Sequence, residues 1–264
     1  MPAESQPSRR LIVAVDMEQY SRKDNGRQHR SQRLLVDVIE TAVETLGLQR
    51  SGWLIQPTGD GELAILPAET PEPTIVGHLV PVLNRLLTER NRDLAAGARV
   101  RLRVAMHIGL VHLDGAAGYP GDAVVTACRL LDAAPLKQAL TAFPSAAVGL
   151  IVSDQIYQDV VRHRYGQIRP ERFASVSVTI PDKKFDASAW IFVPDEDVTT
   201  LPVPEQPAPV RAEPAMSATA ADSNPGPAAG GKFHFGTVTT NGPTVFGDHG
   251  RASGSASGNG LDAP

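Results

Sequence analysis

Residues 53–66 read WLIQPTGDGELAIL, two apolar runs separated by the tetrapeptide TGDG. Glycine and aspartate at such a position favour a tight turn between paired strands, so the stretch predicts a β-hairpin with Asp60 in its tip. Asp-Gly is itself a common turn dipeptide. The hairpin alone therefore leaves two roles open for Asp60, as a turn residue or as a chemical group.

An α/β pattern surrounds the hairpin over residues 10–194. Residues 11–15 form a short apolar run, typical of a strand buried on both faces. Residues 33–48 place their apolar side chains on one helical stripe. A second amphipathic helix is predicted over 75–90 and a strand over 100–111. The order up to this point is βαββαβ.

The rest of this region continues the alternation of helices and strands. Residues 118–134, GYPGDAVVTACRLLDAA, predict a glycine loop that leads into a helix. Further predicted elements are a buried strand over 147–153, a short helix over 154–162, and a closing pair of strands over 173–180 and 190–193.

Composition limits the class of protein and its partners. The chain has 264 residues, 42% of them hydrophobic, which is enough for a substantial core. A formal net charge of −4 gives no general attraction to nucleic acid or anionic lipid, so we expect neither as a partner. The single cysteine, Cys128, cannot form an internal disulfide, and the apolar run at 11–15 is too short for a signal or membrane segment. These features predict a cytoplasmic protein.

The ends of the chain differ in composition from its centre. Residues 1–9 are expected to be flexible, and the Pro/Ala-rich residues 195–231 predict a disordered linker. Aromatic and β-branched residues return at 232–250, KFHFGTVTTNGPTVFGDHG, before a disordered tail at 251–264. This β-prone segment is predicted to bind a protein partner, and it resembles the short amyloid signalling motifs of bacterial immune proteins.

Two carboxylates lie at positions where predicted strands end or turn. Asp16 ends the first strand, and Asp60 lies in the hairpin tip. If these strands are neighbours, both carboxylates emerge at one edge of the sheet. Hard oxygen ligands of this kind suit Mg²⁺ or Mn²⁺ bound together with substrate phosphates.

Six segments occur in the order and spacing of the class III nucleotidyl cyclase catalytic domain. They are LIVAVDMEQYSR, WLIQPTGDGELAIL, LRVAMHIGLV, GYPGDAVVTACRLLDAA, IVSDQIY and KKFDASAWIFV. The sequence resembles this family over residues 10–194. The resemblance implies an α+β, ferredoxin-like sheet with helices packed on one face, and a homodimer with nucleotide sites at its interface.

The resemblance also implies an enzyme that converts a nucleoside triphosphate into a 3′,5′-cyclic mononucleotide and pyrophosphate in bacterial signalling. Asp16 and Asp60 would hold two Mg²⁺ or Mn²⁺ ions. Arg129 would stabilise charge on the reacting phosphate, and Lys184, or its neighbour Lys183, would bind the triphosphate. The residues whose backbone would approach the phosphates are Met17, Gln19, Tyr20 and Ser21.

Several positions depart from the family pattern. Gln56 and Gly118 stand where purine cyclases read the base, Gln19 stands where glycine is common, and Val125 replaces an asparagine one helical turn before Arg129. ATP, GTP, CTP and UTP all remain open, and stand-alone pyrimidine cyclases of antiphage defence also differ from the purine pattern. The alternative is a catalytically degenerate cyclase-homology module that acts as a nucleotide-binding or protein-interaction adaptor through its C-terminal motif.

Two further residues receive structural interpretations. His107 lies in a mostly apolar strand, where a lone histidine is more often hydrogen-bonded than a ligand. Cys128 lies on an apolar helix, and we interpret it as a small core residue.

Overall fold

The structure of the protein is a computed structural model that describes residues 6–201. Most of the predicted linker, the interaction motif at 232–250 and the tail at 251–264 lie outside the described residues.

Residues 6–201 contain one mixed sheet of seven strands, in the order β2-β3-β1-β4-β5-β7-β6. Strand β4 runs antiparallel to β1 and parallel to β5, while β3 pairs antiparallel with both β1 and β2. The first four strands and their helices give the ferredoxin-like arrangement, which confirms the predicted α+β class. The strand bounds are β1 Ser8–Met17, β2 Leu54–Pro57, β3 Gly61–Ile65, β4 Leu102–Val111, β5 Val148–Ser153, β6 Ala174–Ile180 and β7 Phe185–Phe192.

Within residues 6–201, six α-helical segments connect the strands. Their bounds are α1 Asn25–Thr45, α2 Glu72–Thr74, α3 Val80–Asn91, α4 Asp122–Leu131, α5 Ala134–Ala142 and α6 Asp154–Asp159. A π turn, Ile75–Leu79, joins α2 directly to α3. Helix α5 was not predicted.

Helix α1 begins earlier than its apolar stripe predicts. The side chain of Asp24 accepts a hydrogen bond from the backbone N–H of Arg27 at 2.8 Å and caps the helix. Capping of this kind stabilises a helix start without any apolar residue. The two polar turns before residue 33 are therefore helical although most of their side chains face solvent.

Helices cover both faces of the sheet, so the prediction that they pack on one face is wrong. Leu11, Val13 and Val15 of β1 share a core with α1, α3 and α6. The alternate residues Ile12 and Ala14 share a second core with α4 and α5. Since β1 is apolar on both sides, a single helical layer would leave one side in water.

The folded region extends beyond the predicted limits of 10–194. Strand β1 begins at Ser8, within the stretch expected to be flexible. At the other end, Val198 is buried in the α4 and α5 core, and Asp197 caps the short turn Val198–Thr200. Among residues 6–201, no helix is long and apolar enough to cross a membrane.

Candidate functional site

The structure brings Asp16 and Asp60 together. Asp16 lies near the end of β1 opposite Gly61 in β3, and the backbone N–H of Met17 donates to the carbonyl oxygen of Asp60 at 2.9 Å. Burial raises the pKa of Asp16, and the nearby negative charge of Asp60 adds to that effect. The two acids predicted from the sequence therefore share one edge of the sheet.

The glycines of TGDG allow this close approach. A Cβ atom on Gly61 would lie 1.9 Å from the carbonyl oxygen of Val15 and 2.8 Å from the Cα atom of Asp16. Gly59 has a φ of +86°, a conformation that other residues rarely adopt. Asp60 is therefore flanked by Gly59, which supplies the turn conformation, and by Gly61, which allows the close contact with β1.

Helix α1 holds the hairpin tip from the side. The Nε2 atom of Gln32 donates to the carbonyl oxygen of Gly59 at 2.6 Å. No sequence pattern predicts this contact, because Gln32 belongs to the polar turns of α1. Through this bond the helix fixes the loop that carries Asp60.

Arg103 on β4 forms an ion pair with Asp16. Its Nε and Nη2 atoms donate to the two carboxylate oxygens, each at 2.7 Å, and the two side chains are only 14% and 15% exposed. Burial raises the pKa of Asp16 to about 6, although the guanidinium lowers it. Any cation that binds Asp16 must therefore compete with Arg103.

Arg103 carries no local sequence signal. The residue occupies an ordinary polar position in the alternating β4, and only the pairing register sets it opposite Asp16.

The first two backbone amides after Asp16 already have hydrogen-bond partners in the protein. The backbone N–H of Met17 donates to the carbonyl oxygen of Asp60, and that of Glu18 donates to the carbonyl oxygen of Arg101, each at 2.9 Å. The side chain of Met17 is also buried in the core. The expectation that the amide of Met17 faces a phosphate therefore needs correction, because a bond within the sheet already uses it.

The next three amides have a different environment. Within the described residues, the N–H groups of Gln19, Tyr20 and Ser21 donate to no protein acceptor. Gln19 adopts a left-handed φ of 55° and precedes the 3₁₀ turn Tyr20–Arg22. Three consecutive backbone N–H groups, three to five residues after Asp16, are therefore left without a protein acceptor, as in the backbone nests that bind anions.

Gln56 and Gly118, the residues at the expected base-reading positions, also lie together. A Cβ atom on Gly118 would be 3.0 Å from Oε1 of Gln56. Gly118 has a φ of +126°, and Gln56 is exposed. Because Gly118 has no side chain, nothing from that residue blocks the side-chain amide of Gln56, which can both donate and accept hydrogen bonds.

Arg129 lies on α4 near the turn that carries Lys184. Its guanidinium carbon is 5.1 Å from the ring centre of Phe185, the residue that follows Lys184. In residues 6–201, Arg129 makes no hydrogen bond or ion pair, so its donors are available. Val125, one turn earlier on the same helix, is 43% exposed.

The donor set at the hairpin tip suits a hard cation. Residues 6–201 contain no cluster of three or more His, Cys, Asp or Glu side chains. Two carboxylates, completed by backbone carbonyls, water and phosphate oxygens, match the way Mg²⁺ is usually held. The residues present therefore fit the divalent ions expected from the sequence.

His107 and Cys128 lie outside these groupings. Burial lowers the pKa of His107 to about 4, and its Nδ1 atom has no partner within the described residues. Cys128 is exposed, contrary to its interpretation as a core residue, because it lies on the outer side of α4. Partial burial nevertheless raises the pKa of its thiol.

The chain is similar to several solved structures. An adenylate/guanylate cyclase/hydrolase from Silicibacter pomeroyi aligns with a TM-score of 0.52 at 22% identity, over 72% of this chain and 99% of that one. The guanylate cyclase domain of RhGC from Catenaria anguillulae, in complex with GTP, gives a TM-score of 0.46 at 15% identity, over 72% and 97% of the two chains. The non-canonical dimeric guanylyl cyclase domain of RhoGC from the aquatic fungus Blastocladiella emersonii gives 0.46 at 14%, over 71% and 98%.

By sequence, no protein-family model and no curated protein matches the chain. The similarity to the Silicibacter pomeroyi protein, at 22% identity, shows the fold.

Proposed function

We propose that this chain, which has the fold of an adenylate/guanylate cyclase catalytic domain, is a metal-dependent nucleotidyl cyclase. It would convert a nucleoside triphosphate into a 3′,5′-cyclic mononucleotide and pyrophosphate, as part of bacterial signalling. The observation that carries the proposal is the pairing of Asp16 with Asp60 beside three free backbone amides. An acidic pair next to an anion-binding surface is what a metal–triphosphate complex requires.

Asp16 and Asp60 would hold two Mg²⁺ or Mn²⁺ ions. When bound, the ions would lower the pKa of the ribose 3′-hydroxyl and neutralise charge on the triphosphate. The rigid tip made by Gly61 and the Gln32 contact would keep the two carboxylates at a fixed separation. Arg103 would leave Asp16 as the substrate complex enters, since both carboxylate oxygens are engaged by its guanidinium.

The remaining residues would orient the nucleotide. The amides of Gln19, Tyr20 and Ser21 would donate to phosphate oxygens, while Lys184 would contact the triphosphate. The guanidinium of Arg129 would stabilise the charge that develops when the 3′-oxygen bonds to the α-phosphorus and the bond to pyrophosphate breaks. Its lack of a competing ion pair among residues 6–201 supports this role.

Gln56 would face the base. Its amide can pair with either a donor or an acceptor on the base edge, and the absence of a side chain at Gly118 leaves room beside it. This arrangement is compatible with any of the four common bases. The base has to be identified by testing each triphosphate.

The catalytic test uses purified full-length protein and each of ATP, GTP, CTP and UTP with Mg²⁺ or Mn²⁺. We expect a cyclic mononucleotide, detected by mass spectrometry, that disappears in Asp60→Ala and Asp16→Ala. Product formation that is unchanged in these variants would remove the proposed mechanism.

We also propose that two copies complete each site. The acidic pair lies at the hairpin tip, whereas Arg129 belongs to α4, and no hydrogen bond or ion pair within residues 6–201 joins them. In a twofold dimer, Asp60→Ala and Arg129→Ala would be inactive alone, but a mixed dimer would contain one intact site. Mixing the variants in equal amounts should therefore restore about a quarter of wild-type activity. No recovery would argue for a site within one chain.

The second candidate is a module that binds nucleotide without turnover. It is favoured by Val125, an exposed apolar residue one turn from Arg129 at a position where the family offers a hydrogen-bond donor. Nucleotide binding without any pyrophosphate release under Mn²⁺ would support it. The predicted partner of residues 232–250 belongs to this alternative and is tested by seeding experiments with a peptide of that segment.

A further inference from the structure

A separate cavity of about 660 Å³ lies beside the π turn, away from the hairpin tip. It is bounded by the loop after α6, the residue before β6 and the end of β7. Its volume falls within the range of small-molecule sites in proteins. None of the residues assigned to the proposed catalytic site lines it.

Close packing builds the wall of this cavity. A Cβ atom on Gly77, in the π turn, would lie 2.8 Å from Cγ1 of Ile168. Gly166 has a φ of +62°, and a Cβ atom there would be 3.5 Å from Nε2 of His78. These two glycines let the loop after α6 seat directly on the π turn, a type of element that occurs often at functional sites.

The cavity is positively charged in a chain of negative net charge. Arg164, Arg169 and Arg172 line it, against a single acid, Asp195. Arg164 also forms an exposed ion pair with Glu171 at 3.0 Å. Neither of the other two arginines forms an ion pair within residues 6–201, although Glu171 also lies near Arg169 and Asp197 lies near Arg172.

Donors of two arginines remain available for a ligand. Arg172 uses Nη2 on the carbonyl oxygen of Glu196 at 2.8 Å, but its Nε atom is buried without an acceptor in the described residues. The side chain of Arg169 makes no hydrogen bond there. Guanidinium groups present forked donors that match phosphate oxygens. An anion in the cavity would give the buried Nε–H an acceptor.

One side of the cavity is lined by apolar side chains. Phe173 and Phe192 stack with their ring centres 5.1 Å apart, and the guanidinium of Arg172 lies 5.9 Å from the centre of the Phe192 ring. Ile168 extends this wall. A planar ring can pack against such a surface while a phosphate meets the arginines.

We propose that this cavity binds a nucleotide, or a similar phosphate ester that carries a flat ring, at a site separate from the catalytic one. The phosphate lies against Arg169 and Arg172, and the ring lies against the phenylalanine wall. This site does not depend on the proposed cyclase activity.

The test is isothermal titration of the full-length protein in EDTA, which removes divalent ions from the catalytic site. The probes are linear nucleoside monophosphates, cyclic mononucleotides, the parent nucleosides and inorganic phosphate. We expect saturable binding of at least one nucleotide, with weaker binding of its nucleoside and of phosphate alone.

Matched variants assign the binding to the cavity. Arg169→Gln should weaken nucleotide binding by about tenfold or more, because it removes a charge-assisted hydrogen bond. Arg162→Gln, which changes an exposed arginine outside the cavity, should keep the wild-type affinity. Arg129→Ala should also keep it.

Four results would overturn the proposal. They are no saturable binding of any nucleotide, unchanged affinity in folded Arg169→Gln, loss of binding in Arg129→Ala, and phosphate alone binding as tightly as the nucleotide. A chain that binds nucleotide in EDTA but forms no cyclic product with Mn²⁺ would refute the proposed function and leave this site standing.

Discussion

Removing Arg103 should make the protein less stable and more responsive to metal. Arg103→Met deletes two charge-assisted hydrogen bonds of 2.7 Å and leaves the carboxylate of Asp16 without its partner in a site that is only 15% exposed. Breaking a buried ion pair from one side usually costs 3–5 kcal/mol. Because Asp16 keeps some contact with water, we expect a loss of about 2 to 4 kcal/mol in unfolding free energy.

Metal should recover part of that loss. Without the guanidinium, a divalent ion at Asp16 and Asp60 has no competitor and neutralises the uncompensated charge. A ligand present at 100 times its dissociation constant stabilises a protein by about 2.7 kcal/mol. For a domain of this size, each kcal/mol raises the melting temperature by about 2 to 4 °C.

The assay is thermal unfolding at pH 8 in EDTA, Mg²⁺ or Mn²⁺, for wild type, Arg103→Met and Arg50→Met. Arg50 is the matched control, since it forms a similarly buried ion pair with Glu62, and the side chain of Glu62 points to the opposite face of the sheet from Asp16. Both variants should lose stability in EDTA. Only Arg103→Met should gain a larger Mn²⁺ shift than wild type, and equal shifts in all three proteins would refute a metal site at Asp16.

Three further predictions concern single residues, Gln32, His107 and Val125. Gln32→Leu, which removes the bond to the Gly59 carbonyl, should lower turnover by about tenfold while unfolding free energy changes by only about 1 kcal/mol. Burial lowers the pKa of His107 to about 4, so the folded state binds fewer protons than the unfolded state between pH 4 and 6.5. Acidification across that range should therefore lower the unfolding free energy by about 1 to 2 kcal/mol. In urea titrations at several pH values, His107→Asn should lack this loss. Val125→Asn should raise turnover by about 10 to 10³-fold without a change in stability, whereas Val36→Asn, at an equally exposed helical valine, should leave turnover unchanged.

The parts of the fold that the sequence predicted depend on local signals. Strand β1 was recognisable because a continuous apolar run is required when both faces of a strand are covered. The position of Asp60 followed from turn chemistry, since Gly59 supplies a positive φ and Gly61 a side-chain-free contact. These constraints act within a few residues, so they can be read before the fold is known.

The missed features depend on contacts between distant parts of the chain. Arg103 meets Asp16 only through the register of β1 with β4, and Gln32 meets Gly59 only after α1 packs beside the hairpin. Helix α5, Ala134–Ala142, begins three residues after α4 ends at Leu131, and its short apolar stripe did not stand out from the adjoining glycine loop and helix. A single sequence does not encode register in a form that propensity can detect.

Gln19 and Val125 depart from the cyclase pattern, but neither residue determines the local backbone structure. Gln19 adopts the left-handed conformation that glycine would take, at a cost of about 1 to 2 kcal/mol. The loop keeps this shape because the amides of Met17 and Glu18 are already bonded to the carbonyl oxygens of Asp60 and Arg101. The free amides that would meet a phosphate therefore survive the substitution.

Val125, similarly, is an exposed helical residue, so replacing it alters what a ligand meets and leaves the packing of α4 unchanged. These departures should thus change rate and base preference, and the paired acids beneath them should still bind metal.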